Sequence, residues 1–266
     1  MDTNSNILSI EGLLPFLADK SLADNIHIYA SLESTNKTAK EMAANGCAHG
    51  TAVIADGQTA GKGRFGREFY SPPGTGLYMS IVLRPRSMPT GIGEIPTVAA
   101  AVIVCDVIEN VTGQKAQIKW VNDILLGGKK ICGILTEAMT GIESGGIDWI
   151  VIGIGINIDT AHFPNELRDT AGSLFPGQNT GEVRCRIAAE IIGGLLLMDG
   201  LRETGDILAR YKAKLVTLGQ KITVTGAGGT FDAEALDIDE AGRLLVRKAC
   251  GETAALSSGE ITFRNS

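Results

Sequence analysis

The chain has 266 residues, of which 44% are hydrophobic and 20% charged, and its formal net charge is −6. That is enough apolar chain for one large domain with a small one beside it. The acidity argues against bulk attachment to nucleic acid, which needs a basic face, but not against one nucleotide bound locally.

Cys47, Cys105, Cys132, Cys185 and Cys250 form no C-x-x-C pair, and the three histidines are equally dispersed, so no zinc site is visible. A reducing, cytoplasmic compartment is the simplest expectation. The opening MDTNSNILSI lacks a cationic segment followed by an apolar one, and no apolar run approaches the ~20 residues that cross a bilayer.

Residues 1–25 read as a short lead with a weak helix around Ile10 to Ala18. Ile26 to Tyr29 alternates as a strand. Ser34-Thr35-Asn36 offers N-cap chemistry for a helix running to Ala44 and stopping near Gly46. Thr51 to Ala55 is a β-branched strand that feeds a glycine–cation loop, which ends near Ser71-Pro72-Pro73-Gly74. Leu77 to Leu83 is a strand closed by Pro85, and Pro96 to Asn110 a long apolar helix. Three strands follow at 117–120, 124–126 and 131–138, with Gly127-Gly128 as a tight turn between the last two. Trp149 to Ile158 is a buried strand and 164–180 an irregular loop.

Arg184 to Met198 and Asp206 to Leu215 read as helices. From Gly219 short strands take over, at 222–224, 231–238, 244–247 and 260–264, with turn signals at Gly226 to Gly229 and at 240–242. The expected architecture is therefore α+β: a mixed sheet with helices packed on one face over 1–215, then a small β-barrel over 216–266. A doubly wound dinucleotide fold is disfavoured, because the glycine loop does not run directly into a helix.

Four stretches carry candidate chemistry. Gly61-Lys62-Gly63-Arg64-Phe65-Gly66-Arg67 concentrates cations among glycines in an acidic chain. Bare amides and cations of this kind cradle anions, and the plain alternative is a solvated surface turn. Lys119-Trp120-Val121-Asn122-Asp123, followed by Lys129-Lys130-Ile131-Cys132-Gly133, places polar residues at a hairpin that can edge a pocket; a lysine-flanked Asx turn is the alternative. Ser34-Thr35-Asn36 can hydrogen-bond an uncharged polar ligand, cap a helix, or do both. Gly153-Ile154-Gly155-Ile156-Asn157 has glycines inside a strand, which points to close approach by another group or to tight helix–sheet packing.

In this order, with Gln58-Thr59-Ala60 before the loop and Gly259-Glu260-Ile261-Thr262-Phe263-Arg264 near the end, these motifs resemble biotin protein ligases of the monofunctional kind, from about residue 26 onward. Lys62 stands where that family usually has arginine, and Val121 where it usually has proline, leaving the turn into Asn122 less restrained. The chain is expected to lack room for the N-terminal DNA-binding domain of the repressor-type ligases, so no DNA partner is expected.

The resemblance implies a class II synthetase-like catalytic fold with an SH3-like C-terminal barrel. It implies activation of biotin with ATP and magnesium to biotinyl-5′-AMP, then transfer to a lysine of a biotin carboxyl carrier domain. Lys130 would stand between carboxylate and α-phosphate, with Arg64 and Arg67 holding the adenylate. Ser34, Thr35, Asn36, Gln58, Gly61, Arg64, Lys130 and Gly133 would bind biotin. Lys62, Arg67, Phe69, Lys119, Asn122, Asp123, Asn157 and Arg264 would face the nucleotide, Phe69 by stacking, and Asp123 is the candidate magnesium contact. Family members often dimerise through the sheet edge, and nothing in the sequence decides this for the present chain. A lipoate or octanoate transferase of the same fold, a biotin-sensing module without catalysis and a nucleic-acid-binding protein are the competing readings.

Overall fold

A computed structural model describes residues 8–85, 93–141, 146–178, 180–197, 204–226 and 229–264. Met198 and part of the expected turn from Gly226 to Gly229 lie outside the described residues.

The N-terminal lead forms α1 (Ile10–Leu13), capped by the Ser9 hydroxyl, which accepts the Gly12 N–H at 3.1 Å. A 3₁₀ segment at Lys20–Asn25 follows. Seven strands then build one mixed sheet: β1 (Ile26–Leu32), β2 (Ala52–Gln58), β3 (Gly76–Leu83), β4 (Gln117–Lys119), β5 (Asp123–Leu126), β6 (Lys129–Thr140) and β7 (Ile147–Asn157). Their spatial order is β1-β2-β3-β7-β6-β5-β4, with β1 and β2 parallel and the other pairs antiparallel. The parallel pair is joined through α2 (Thr35–Ala44), and the hairpins need only short turns.

The period of two along each strand sorts the side chains between two faces. Ile54, Met79, Ile81, Ile134, Ile152 and Ile154 belong to the main core under α3 (Ile95–Thr112) and α4 (Gly181–Leu196). Val53, Val82, Val151 and Trp149 form a second cluster with Ala39 and Ala43 of α2. Stacking on one face therefore holds for α1, α3 and α4, while α2 lies on the other face. Helix α2 covers only part of that face, and the uncovered part becomes the floor of a cavity.

By length and composition α3 is the one described helix able to cross a bilayer, although no apolar run of that length was expected; it is 67% buried inside the fold. Helix α5 (Thr204–Lys214) leads to a five-stranded antiparallel sheet of β8 (Lys221–Gly226), β9 (Gly229–Ile238), β10 (Leu244–Lys248), β11 (Thr253–Leu256) and β12 (Glu260–Phe263), ordered β11-β10-β9-β8-β12. Strand β11 was absent from the sequence reading: Thr-Ala-Ala-Leu is short, and all four residues are exposed or half-buried.

The two sheets share a core, since Ile222, Val224, Leu244, Val246 and Ile261 join the same apolar cluster as α3. Polar pins reinforce the junction. Trp120 donates its indole N–H to the Gly242 carbonyl at 3.2 Å and its backbone N–H to the Thr217 hydroxyl at 3.0 Å, and Glu94 N–H donates to the Ala241 carbonyl at 2.9 Å. All five cysteines are free thiols.

Candidate active site

A cavity of about 500 Å³ opens on the sheet face that α2 leaves uncovered, within the size range of ligand pockets. Its floor is glycine. Gly133 and Gly155 are register partners on β6 and β7, and a Cβ at Gly155 would meet the Phe69 ring at 2.6 Å. A Cβ at Gly153 would lie 1.8 Å from the Asn36 carboxamide oxygen. The glycines of β7 are thus explained by close approach of side chains from α2 and the loop, not by helix packing from the core side.

One end of the cavity is polar and almost uncharged. Ser34, Thr35, Asn36 and Ser80 are buried there. Ser34 is the N-cap of α2 by position, yet its side chain makes no capping hydrogen bond, and it lines the cavity instead. Gln58 closes β2 beside Leu32 of β1. Its Oε1 accepts from the Thr35 N–H at 2.8 Å and the Thr35 hydroxyl at 3.2 Å, while its Nε2 donates to Ser71 Oγ at 3.0 Å. Ser71 in turn donates to the Phe69 carbonyl at 2.7 Å.

The rest of the lining is charged, with Lys62, Arg64, Arg67, Lys119 and Lys130 set among Glu68, Asp123, Asp169 and Glu260. The stretch after Gln58 leaves the sheet and returns, closed by Phe69 N–H on the Gly61 carbonyl at 2.9 Å and Gly63 N–H on the Arg67 carbonyl at 2.7 Å. At its tip Phe65 takes a left-handed backbone, φ 56°, and is exposed. Non-glycine residues seldom adopt that region, and where they do a functional constraint is a common reason. Arg64 reaches back to donate to Asn122 Oδ1 at 3.3 Å, and Arg67 pairs with Glu260 of β12.

Lys130 reaches the cavity because of a bulge. Along β6, Gly133 and Leu135 line the cavity and Glu137 shares their face under α2, so strict alternation would send Lys130 toward the core. The register shifts by one between Ile124 and Leu125, where Leu125 pairs with Lys130 and Ile124 with Cys132. The extra residue, Ile131, is buried in the core, and Lys130 is turned to the cavity side, within 3.3 Å of where a Gly133 Cβ would sit. There Lys130 Nζ meets Asp123 Oδ1 at 2.7 Å. Gly127 and Gly128, both at positive φ, make the tight turn that lets β5 and β6 meet this way.

The segment around Asn122 is well held, contrary to the freedom expected from Val121. Val121 is fully buried, its carbonyl accepts the Tyr211 hydroxyl at 2.9 Å, and Asn122 Nδ2 donates to the Ile134 carbonyl at 2.9 Å. Burial pulls the Lys119 ammonium below the usual lysine range, and Asp123 and Glu260 oppose that shift.

Of the expected site residues, Ser34, Thr35, Asn36, Gln58, Lys62, Arg64, Arg67, Phe69, Lys119, Asn122, Asp123, Lys130 and Gly133 line this single cavity. Three do not. Gly61 underlies the loop, where a Cβ would strike the Phe69 carbonyl and Ser71 Oγ at 2.5 Å. Asn157 is buried and donates to the Gly172 carbonyl at 3.0 Å, which pins the 171–174 segment. Arg264 is an exposed partner of Asp232 on the outer face of the second sheet.

The structure adds residues the sequence reading missed: Ser71, Ser80, Glu137 and Glu260, and the 167–171 segment, whose Thr170 carbonyl accepts the Lys130 N–H at 2.8 Å. A serine inside the fully buried strand GLYMSIVL was the one available signal, because a hydroxyl there needs a partner. Asp123 is engaged by Lys130, and among the described residues no three His, Cys, Asp or Glu side chains group as a metal site. The residues present do not fit a magnesium cage built by the protein.

Residues 28–157 match the biotin/lipoate A/B protein ligase family, and residues 217–264 the biotin protein ligase C-terminal domain. The bifunctional ligase/repressor BirA of Bacillus subtilis is 40% identical over 81% of this chain and 67% of its own length. The biotin--[acetyl-CoA-carboxylase] ligase of Mycobacterium tuberculosis is 29% identical over 94% of this chain and 96% of its own. Among solved structures, biotin protein ligase from Aquifex aeolicus in complex with biotin and ATP superposes with a TM-score of 0.72 at 26% identity, covering 91% of this chain and 99% of that one. The chain belongs to the biotin/lipoate A/B protein ligase family and is an enzyme of its biotin protein ligase branch.

Proposed function

We propose that this enzyme condenses biotin with ATP to biotinyl-5′-AMP and passes the biotinyl group to a lysine of a biotin carboxyl carrier domain. In the first step a biotin carboxylate oxygen attacks the α-phosphorus and pyrophosphate leaves. In the second the lysine ε-amine attacks the biotinyl carbonyl, forms an amide and expels AMP.

One observation carries the reading: a hydroxyl-and-amide end and a charged end share a cavity over a glycine floor. A bicyclic urea is neutral and needs directed donors and acceptors, which Ser34, Thr35 and the Gln58 network provide. Its acyl chain needs an apolar path, which Leu135 and the Phe69 ring in the cavity wall can supply. The reacting carboxylate and phosphate are both anions, so the barrier is in large part their repulsion, and Lys130 with Arg64 and Arg67 offsets it. The Aquifex relative, with biotin and ATP bound, supports the same pairing of ligands.

Residues 1–215 would carry this chemistry, and 216–266 would close the cavity through Gly259, Glu260 and Phe263. Magnesium would enter on the nucleotide phosphates, and no step is assigned to it. Closing the 61–70 loop would shield the mixed anhydride from water.

Biotin-dependent ATP–pyrophosphate exchange tests the first step. Exchange with biotin and none with lipoate is expected. Exchange with lipoate alone would favour the lipoyl transferase, and neither would favour the sensing module.

A further inference from the structure

We propose that Glu137, which belongs to none of the sequence motifs, is the positioning residue that sets how the polar end of the cavity presents its hydroxyls to a urea. The proposal rests on the biotin reading above.

Glu137 sits on the cavity face of β6. Its Oε1 accepts from Lys40 Nζ at 2.6 Å and its Oε2 from Asn36 Nδ2 at 2.9 Å. Asn36 and Lys40 are one turn apart on α2, so a single carboxylate spans both. Asn36 Nδ2 also donates to the Leu135 carbonyl at 3.2 Å. A carboxylate and a carbonyl can only accept, so together they fix which way the carboxamide faces: nitrogen toward β6, oxygen toward Ser80. Gly153 leaves the room, since a Cβ there would overlap the Asn36 oxygen.

The consequence passes to the cavity wall. Ser80 Oγ, fully buried, lies 2.6 Å from Asn36 Oδ1 and 2.9 Å from Thr35 Oγ1. Ser80 has one proton, and the Asn36 oxygen can only accept it. The Thr35 proton then goes inward, to Ser80 Oγ or to Gln58 Oε1 at 3.2 Å. Thr35 therefore turns lone pairs to the cavity, the complement of a urea N–H. If the Asn36 carboxamide were reversed, its nitrogen would donate to Ser80, and the Ser80 proton would fall on Thr35 and occupy a lone pair the ligand needs.

The carboxylate stays ionised for this role. Burial pushes the Glu137 carboxyl up, but hydrogen bonds from Lys40 and Asn36 outweigh it and leave the group below its ordinary range.

Calorimetric titration of the full chain with biotin, alongside steady-state kinetics with ATP, tests the proposal. Glu137→Gln keeps the volume but cannot accept from both partners. It is expected to weaken biotin binding by about tenfold or more, the worth of one or two hydrogen bonds. A loss of uniform binding leaves kcat and the KM for ATP within about threefold. Lys40→Met retains the Asn36 contact and loses less. Gly153→Ala displaces the Asn36 oxygen without touching Glu137 and gives the same biotin-selective loss, which keeps the test open if Glu137→Gln does not fold.

A folded Glu137→Gln or Gly153→Ala protein that binds biotin within about twofold of wild type overturns the inference. So does a parallel rise in the KM for ATP. Wild-type protein that takes up no biotin overturns the functional reading itself, a different outcome from either.

Discussion

Lys130 and Asp123 face each other across the β5–β6 hairpin at 2.7 Å, and Lys130 stands on the cavity side of the sheet because Ile131 bulges into the core. Asp123 holds the ammonium in place. In the proposed reaction Lys130 would be the cation that offsets the repulsion between carboxylate and polyphosphate.

Lys130→Ala is therefore expected to abolish pyrophosphate exchange while biotin affinity changes little. One close unit charge is worth about 4 kcal/mol at 4 Å with an effective dielectric near 20, or roughly a thousandfold in rate. Exchange kinetics paired with a biotin titration checks this. Full exchange in the variant refutes the role given to Lys130.

How much of this was legible in the sequence depends on what each residue needed. The glycine–cation loop and the hairpin cluster were readable because their chemistry is local: positive-φ glycines, adjacent cations, a two-glycine turn. The placement of α2 was not. Its buried residues are Thr35, Asn36, Ala39 and Ala43, two polar side chains and two alanines, which do not announce an apolar face. The bulge at Ile131 was hidden too, since an extra apolar residue between Lys130 and Cys132 looks like any strand residue. Arg264 was assigned by family match alone, and only the pairing register of β8 and β9 shows that its partner is Asp232. Glu137 and Ser80 are single polar residues in strands, and their meaning appears only once α2 is laid across β3 and β7 with Asn36 and Lys40 reaching β6.

The Phe69 ring lies on the glycine floor, and Gly155 is where this contact is tightest. Gly155→Ala is expected to destabilise the protein by about 1–3 kcal/mol through overpacking. Phe69→Ala in the same chain relieves it. Urea unfolding of the single and double variants measures the coupling, and additive losses would show that the two residues do not compete for the space.

The 61–70 loop is held at its base by short backbone hydrogen bonds, and beyond it Arg64 meets Asn122 and Arg67 meets Glu260. Adding biotin and ATP is expected to slow hydrogen exchange there selectively, as the loop closes over the adenylate. Equal protection with and without ligands would refute closure.

Asp239 links pH to the junction between the two sheets. Burial raises its pKa, but N–H groups of Arg243 and Ala241 and the Arg243 guanidinium bring it below the ordinary value. A depressed folded pKa means the unfolded chain binds more protons as pH falls, so this contribution is full above the unfolded pKa and lost as pH drops through the folded one. Stability should decline below about pH 4, and Asp239→Asn should flatten that decline. Urea midpoints across the acid range check this, and an unchanged slope in the variant contradicts it.

The most direct test of the central claim is the mass of a biotin carboxyl carrier domain incubated with this enzyme, ATP, magnesium and either biotin or lipoate. The carrier is expected to gain one biotinyl group, only with ATP, and nothing with lipoate. An unmodified carrier in the presence of biotin, or a lipoyl adduct in its place, would contradict it.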